Sequence, residues 1–352
     1  LVTFTIGHSQ DTVADGYFTG FITSEISPIV YFLIFLGVTA IVVFGGVEKG
    51  IERFSKVIMP LLLVLILGIA IFSLTLEHTD ASGVTRTSLE GLKIYLWPDF
   101  SNITFKQFFI VIMDALGQLF YSISVAMGIM VAYGSYVKKD VNLMQSINQI
   151  EIFDTIVAFL AGMMIIPAVY VFMGREGMSA GPGLMFVSLP KVFGAMGGIG
   201  AVIGVLFFGM VSFAAVTSSV SIMEAMVSSL MDRFHFGRKK SAAIVTGYAL
   251  IAGTIVCLGY NKLYFEWTLP NGTVGQILDM LDYISNNVFM PLVALLTCIL
   301  IGWVVKPQIV IDEVTRNGEK FGRKHLYVIM VKYITPVLLF FLLLQSLGLF
   351  SL

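Results

Sequence analysis

Three segments of the sequence place polar residues inside long apolar stretches, where they could bind a cation. The first, residues 117–124, reads GQLFYSIS and combines a glycine with side-chain hydroxyls. The second is Asp154, which has no Lys or Arg on the same predicted helix. The third, residues 214–221, reads AAVTSSVS and offers hydroxyls beside alanine carbonyls. Hydroxyl, carboxylate and carbonyl oxygens suit hard cations such as sodium.

Each segment also has an ordinary structural explanation. Residues 117–124 predict either a helix broken at a site or a continuous helix whose serines bond back to their own turn. Asp154 could be a cation ligand, a protonated packing residue or an acid at the membrane interface. Small residues, as at 214–221, are also typical of a tight contact between membrane helices. The local sequence leaves these alternatives open.

The composition indicates an integral membrane protein. Of 352 residues, 57% are hydrophobic and 12% are charged, and the mean hydropathy is +0.91. Soluble domains carry about 25% charged residues. The net charge of −1 argues against a nucleic-acid partner. Zinc-binding His-Glu motifs and a P-loop are missing from the sequence, which gives no basis for an enzyme.

Apolar stretches predict eight membrane spans. A helix needs about 20 apolar residues to cross a bilayer, and strand-type alternation is missing. Two of the stretches are too long for one straight crossing, so we expect part of 192–223 to lie outside the bilayer or along its surface. The eight stretches are 28–47, 57–76, 107–137, 155–173, 192–223, 241–261, 283–305 and 333–352.

The uneven division of Lys and Arg between the loops orients the chain. One set of alternate loops carries fourteen basic residues, at positions 49–56, 138–139, 233–240 and 306–324, and the other set carries six. Cytoplasmic loops carry the excess of Lys and Arg. We therefore expect the first set in the cytoplasm and both chain ends outside. No basic residue precedes Lys49, which is expected of a chain cut from a longer protein.

Motifs along the whole chain resemble those of the neurotransmitter:sodium symporter family, and in particular its bacterial amino-acid transporters with eleven helices. The spacing of Gly50 and Pro60 matches the start of the family's fifth helix. The motif order also follows the family. The matching motifs are KGIERF at 49–54, WPDF at 97–100, GQLFYSIS at 117–124, YGSY at 133–136, GPGL at 181–184, Leu189-Pro190, FAAVTSS at 213–219 and YITP at 333–336.

This resemblance implies the fold. We expect an all-α integral membrane protein with the inverted-repeat (five-plus-five) sodium symporter fold, in which a discontinuous helix covers 107–137. The spans match helices four to eleven, so the chain is expected to be N-terminally truncated. Residues 1–352 are then a single transmembrane transporter domain, with the end of the first repeat at 28–76, the second repeat at 107–305 and an additional C-terminal helix at 325–352.

The resemblance also implies two sodium sites. The first would draw on Ser122 and Asp154, and the second on the carbonyl of Ala214 and the hydroxyls of Thr217 and Ser218. Asp282 matches the external gate acid, and Tyr136 and Asp232 match the internal gate. In the family, both gates take an arginine from helices that this sequence does not contain. The substrate-binding residues implied are Tyr121, Ser122, Ser124, Met127, Ser218 and Ile222.

An anion site of the family is altered in this sequence. In the family's animal members, residues that match Gln118, Ser122 and Asp154 hold an anion near the first sodium site. One turn beyond Asp154, a serine or glutamate of relatives is replaced by Ala158. A fixed carboxylate at Asp154 can supply the negative charge that chloride supplies elsewhere. We therefore expect that chloride is not required.

The leading functional prediction is sodium-coupled symport of a neutral, apolar or aromatic, amino acid by alternating access across the cell membrane, as a multi-pass protein in the lipid bilayer. One alternative is a sodium–solute symporter with a non-amino-acid substrate, or one that exchanges protons through Asp154. The other is a non-transporting fragment or sensor. The sequence does not name the amino acid or the oligomeric state.

Overall fold

Helices form most of the chain in the computed structural model, which describes residues 1–14, 16–80, 83–97, 100–101, 103–175, 183–270 and 272–349. The α-helices of the N-terminal part are α1 (Val2–Thr5), α2 (Tyr17–Thr23), α3 (Ser27–Phe44), α4 (Arg53–Ser73), α5 (Ser88–Leu96), α6 (Phe105–Ser122), α7 (Ile129–Tyr136) and α8 (Leu143–Met173). Those of the C-terminal part are α9 (Leu189–Ala195), α10 (Gly198–Phe234), α11 (Arg238–Leu258), α12 (Ile277–Asp282), α13 (Met290–Ile299), α14 (Gln308–Val314), α15 (Lys324–Ile329) and α16 (Thr335–Ser346).

Shorter elements connect or extend these helices. Two antiparallel hairpins pair β1 (Glu77–Thr79) with β2 (Thr85–Thr87) and β3 (Trp267–Thr268) with β4 (Val274–Gly275). Widened helical turns, with the π-type hydrogen-bond spacing, lengthen several α-helices without ending them. These turns are Val47–Glu52, Leu184–Ser188, Tyr283–Phe289, Leu300–Val304 and Met330–Ile334, and a 3-10 turn covers Ser9–Val13.

Seven helices of the described chain are long and apolar enough to cross a membrane, and they match seven of the eight predicted spans. The eighth predicted span, 107–137, is divided into α6 and α7. The prediction of a multi-pass membrane protein is confirmed. The seven helices are Ser27–Phe44, Gly50–Ser73, Leu143–Met173, Gly198–Phe234, Arg238–Leu258, Ile277–Val304 and Lys324–Ser346.

The long apolar stretch 192–223 divides at Gly197. α9 ends before this glycine, whose φ of +66° is a left-handed conformation that favours glycine, and α10 begins after it. A Cβ atom on Gly200 would lie 1.8 Å from the carbonyl oxygen of Phe193, so the tight turn also needs a glycine there. α10 then continues past residue 223 to Phe234, further than the apolar pattern predicts.

The described chain forms two compact units. The first comprises Leu1–Ser101, Thr155–Met223 and Ala242–Leu250. Its core contains a cluster of phenylalanines, in which the ring centroids of Phe207 and Phe208 are 5.3 Å apart at an interplanar angle of 86°. Such edge-to-face pairs are favourable beyond the apolar area that they bury. This core fixes the N-terminal half of α10 against α4 and α8.

The second unit comprises Asn102–Asp154, Glu224–Ser241 and Ile251–Leu352. Its core joins α6, α13 and α16 through side chains that include Met113, Met290 and Leu339. The hydroxyl of Tyr283 donates to the carbonyl oxygen of Ser346 at 2.6 Å, which ties α16 to the turn before α13. This unit contains the broken helix and positions the residues that follow it.

Candidate cation and substrate sites

The predicted break in the helix over 107–137 is present, but it lies at residues 123–128, so most of the predicted segment 117–124 is helical. α6 ends at Ser122, residues 123–128 form turns, and α7 begins at Ile129. Within the turns, Ser124 has a φ of +52° and Ala126 a φ of +63°. A left-handed backbone costs about 1–2 kcal/mol for a residue that is not glycine, and such strain concentrates at functional sites. The continuous-helix alternative is therefore excluded.

The first predicted sodium pair is brought together at this break. The hydroxyl of Ser122, the last residue of α6, donates to Oδ1 of Asp154 at 2.6 Å. This length is typical of a hydroxyl bound to a carboxylate. Asp154 lies within α8 and is half-buried. Two oxygen-bearing side chains that were predicted as cation ligands therefore meet where the backbone leaves the helix.

Glu151, one turn before Asp154, has a separate role. Its carboxylate pairs with the guanidinium of Arg323, with Nη2 to Oε2 at 3.0 Å and Nη1 to Oε1 at 3.4 Å. Nη2 of Arg323 also donates to the side chain of Asn148 at 2.5 Å. Both charged side chains are about half exposed, so this pair contributes little to stability. Glu151 thus has its own basic partner, apart from the Ser122–Asp154 pair.

The second predicted sodium ligands lie on one face of α10. The hydroxyl of Thr217 donates to the carbonyl oxygen of Ala214 at 2.8 Å, and the hydroxyl of Ser221 donates to the carbonyl oxygen of Thr217 at 3.0 Å. Thr217 is buried, whereas Ala214 and Ser218 are exposed. A hydroxyl can turn its hydrogen away and offer a lone pair. Ala214 and Thr217 therefore have adjacent oxygens that could bind a cation.

The predicted substrate residues occupy two segments. Ser122, Ser124 and Met127 belong to the broken segment, in the second unit. Ser218 and Ile222 lie one turn apart on the exposed face of α10, in the first unit. The side chain of Tyr121 lies outside the described part of the chain. The broken segment has serine hydroxyls near the flexible side chain of Met127. The α10 segment has the hydroxyl of Ser218 near the branched side chain of Ile222.

Tyr136, predicted at the internal gate, has a partner that the sequence analysis missed. Its hydroxyl donates to Oε1 of Glu224 at 2.8 Å. Glu224 is fully buried and also accepts from Arg238, with Nη2 to Oε2 at 2.6 Å and Nη1 to Oε1 at 3.0 Å. Within the described residues, no contact joins Tyr136 to Asp232, which is exposed near the end of α10. The signal in the sequence was Glu224 itself, the first charge after a long charge-free stretch.

Asp282, predicted at the external gate, is the last residue of α12. Its carboxylate accepts a hydrogen bond from the side chain of Asn286, one turn further along the same continuous helix. The backbone carbonyl of Asp282 also accepts from the hydroxyl of Ser285 at 3.2 Å. The widened turn that begins at Tyr283 follows directly. Asp282 is exposed.

The broken helix and the seven long apolar helices define a multi-pass membrane protein with the fold of a membrane transporter. Residues 23–351 match the model of the Sodium:neurotransmitter symporter family. The chain belongs to this family. The fold is similar to that in the crystal structure of MhsT in complex with L-phenylalanine, with a TM-score of 0.81 and 31% sequence identity over 98% of this chain and 74% of MhsT.

Bacterial relatives have similar sequences. The chain is 32% identical over 319 residues to an uncharacterized sodium-dependent transporter of Haemophilus influenzae, which covers 91% of this chain and 65% of the relative. It is 31% identical over 336 residues to the uncharacterized sodium-dependent transporter YhdH of Bacillus subtilis, which covers 95% of this chain and 70% of the relative. The chain therefore spans about two thirds of the length of these relatives.

The network around Glu224 predicts that the side chains of Glu224 and Tyr136 stabilise the folded protein. Replacing Glu224 by Gln leaves the guanidinium of Arg238 without its charge partner, and breaking a buried pair in this way costs about 3–5 kcal/mol. Tyr136→Phe removes a hydrogen bond to a charged group, worth about 1.5–3 kcal/mol. We expect both variants to lower the melting temperature of the full-length gene product in detergent, measured by fluorescence.

Asp232→Asn is the matched control, because it removes the charge of the residue that the sequence predicted for this network. Its melting temperature should equal that of the unmodified protein. A fall for Asp232→Asn together with no change for Tyr136→Phe would contradict the assignment of Glu224 as the partner of Tyr136.

Proposed function

We propose that this chain is the principal part of a sodium-coupled symporter that carries a neutral, apolar or aromatic amino acid across the cell membrane by alternating access. The observation that carries the proposal is the contact between Ser122 and Asp154 at 2.6 Å, located where α6 is interrupted. In the turns that follow, Ser124 and Ala126 have a left-handed, non-helical backbone. A carboxylate, a hydroxyl and non-helical backbone together suit a cation next to a ligand with an ammonium group.

Sodium at two sites is proposed as the coupling ion. The first site uses Ser122 and Asp154, and the second uses Ala214, Thr217 and Ser218. Sodium that binds beside the substrate favours the conformation in which both are held, so the two ligands raise each other's affinity. The names of the relatives from Haemophilus influenzae and Bacillus subtilis, which describe sodium-dependent transporters, support this proposal.

The second sodium site can be tested by removing its hydroxyls. Thr217→Ala and Ser218→Ala each delete one proposed ligand. Each should raise severalfold the sodium midpoint, which is the sodium concentration that gives half-maximal amino-acid uptake. The measurement is uptake of labelled amino acid into proteoliposomes that contain the full-length gene product, at increasing sodium. Ser212→Ala is the control, because its hydroxyl bonds to the carbonyl oxygen of Phe208 in the preceding turn. An unchanged midpoint in both variants would contradict the sodium site and indicate that residues 214–221 serve helix packing.

An apolar or aromatic amino acid is proposed as the substrate. Met127 is unbranched and adaptable, Ile222 is apolar, and no charged residue is among the positions proposed to face the substrate side chain. MhsT, whose fold is similar, was crystallised with L-phenylalanine, which supports this choice. We expect Phe, Leu or Trp to compete best in a panel of unlabelled amino acids. Strongest competition by Asp, Glu, Lys or Arg would contradict the proposed pocket.

Chloride is proposed to be unnecessary. Asp154 and Ala158 lie one turn apart on the continuous helix α8, so they share a face. An anion 4 Å from the carboxylate would be repelled by about 4 kcal/mol at an effective dielectric constant of about 20. Uptake should therefore be unchanged when gluconate replaces chloride at constant sodium. A severalfold loss would show that Asp154 does not provide the fixed negative charge.

A further inference from the structure

One hydrogen bond joins α3 to α10 on the side of α10 away from the proposed sodium ligands. The hydroxyl oxygens of Thr39 and Ser219 are 2.8 Å apart. Thr39 is 2% exposed and carries the single hydroxyl among residues 32–44 of α3. We propose that Thr39 and Ser219 are positioning residues that hold α10 in register for cation binding at Ala214, Thr217 and Ser218. This inference rests on the proposed function.

The positions of the hydroxyl oxygens imply that one hydroxyl donates a hydrogen bond from one helix to the other. Thr39 Oγ1 lies 3.0 Å from the carbonyl oxygen of Phe35, and Ser219 Oγ lies 2.9 Å from that of Val216. The two hydroxyls have two hydrogens for three short contacts. If each donated only to its own helix, two oxygens 2.8 Å apart would face each other without a hydrogen between them. One hydroxyl must therefore donate across to the other helix.

The bond acts at the same turn of α10 as the ligands. An α-helix turns by about 100° per residue, so Ala214, Thr217 and Ser218 occupy an arc of about 100°. Ser219 lies outside that arc, next to the buried face that includes Val216 and Val220. The bond therefore restrains α10 on the side opposite to the proposed ligands. Small rotations of the helix would move every proposed ligand of that turn together.

Ordinary helix packing is the competing explanation. Hydroxyl bonds between membrane helices often contribute only to association, and a threonine commonly bonds to its own preceding turn. If the bond served only packing, its loss would change the stability of the fold and would not change the sodium midpoint of uptake. A positioning role changes the sodium midpoint even when the protein is correctly folded and the substrate is saturating.

The test compares sodium midpoints of uptake by the full-length gene product in proteoliposomes at saturating substrate. Thr39→Val keeps the shape of the side chain and removes its hydroxyl, and Ser219→Ala removes the other. Loss of one hydrogen bond of ordinary strength should raise the midpoint about two- to tenfold in each variant. Because the two variants delete the same bond, the double variant should show no further rise.

Two matched variants control for general damage. Thr39→Ser keeps the hydroxyl and should restore the sodium midpoint of the unmodified protein. Ser212→Ala removes a hydroxyl from the same helix and should also leave the midpoint unchanged. If Thr39→Val does not fold, as judged by size-exclusion chromatography, Ser219→Ala decides the question. Unchanged midpoints in the folded variants, or additive effects in the double variant, would overturn the proposal.

Thr217→Ala in the same experiment separates this inference from the proposed function. A raised midpoint in Thr217→Ala with an unchanged midpoint in Thr39→Val and Ser219→Ala would reject the positioning pair and retain the sodium site. Uptake that does not depend on sodium in the unmodified protein would reject the proposed function, and the positioning pair with it.

Discussion

Backbone that leaves the helical conformation inside a membrane has no water to bond with, and residues 123–128 are subject to this constraint. Non-helical segments persist at membrane depth only where they line a cavity or pack on protein. Here the break begins directly after Ser122, whose side chain binds Asp154 at 2.6 Å. The residues with a left-handed backbone, Ser124 and Ala126, follow two and four positions after Ser122. The proposed first cation site therefore requires a broken helix, and the rest of the structure must offset the free energy that the break costs.

The long helix α10 is subject to a second set of constraints. In one continuous helix, Gly198–Phe234, it carries the proposed cation ligands, the bond to Thr39 and the fully buried Glu224. A buried carboxylate is tolerated only with partners, and Arg238 and Tyr136 supply them. Apolar packing alone permits a helix to slide or rotate by small steps, whereas these polar contacts each fix one position along it. We infer that they set the register of α10.

Much of the fold could be predicted from the sequence, for reasons that are local. Apolar stretches of sufficient length predicted the spans, since the hydrophobic thickness of a bilayer sets the length of a helix. The glycine and serines at 117–124 made a break possible, because such residues weaken a helix, and the resemblance to the family decided for it. The helix boundaries were predicted less well. α10 extends past Glu224, whose carboxylate has partners, to Phe234, whereas a charge-free stretch ends before Glu224.

The sequence by itself determined a helical membrane protein and most of its spans, because these follow from hydropathy over neighbouring residues. The break within 107–137 was implied by the resemblance to the family, and the structure places it at residues 123–128. Only the tertiary structure decided that Tyr136 binds Glu224, 88 residues away, and that Thr39 contacts Ser219, 180 residues away. A single hydroxyl in an apolar helix has the same appearance in sequence whether it bonds to its own turn or to another helix. The packing of the helices selects its partner, since a hydrogen bond forms only where two polar atoms come within about 3 Å of each other.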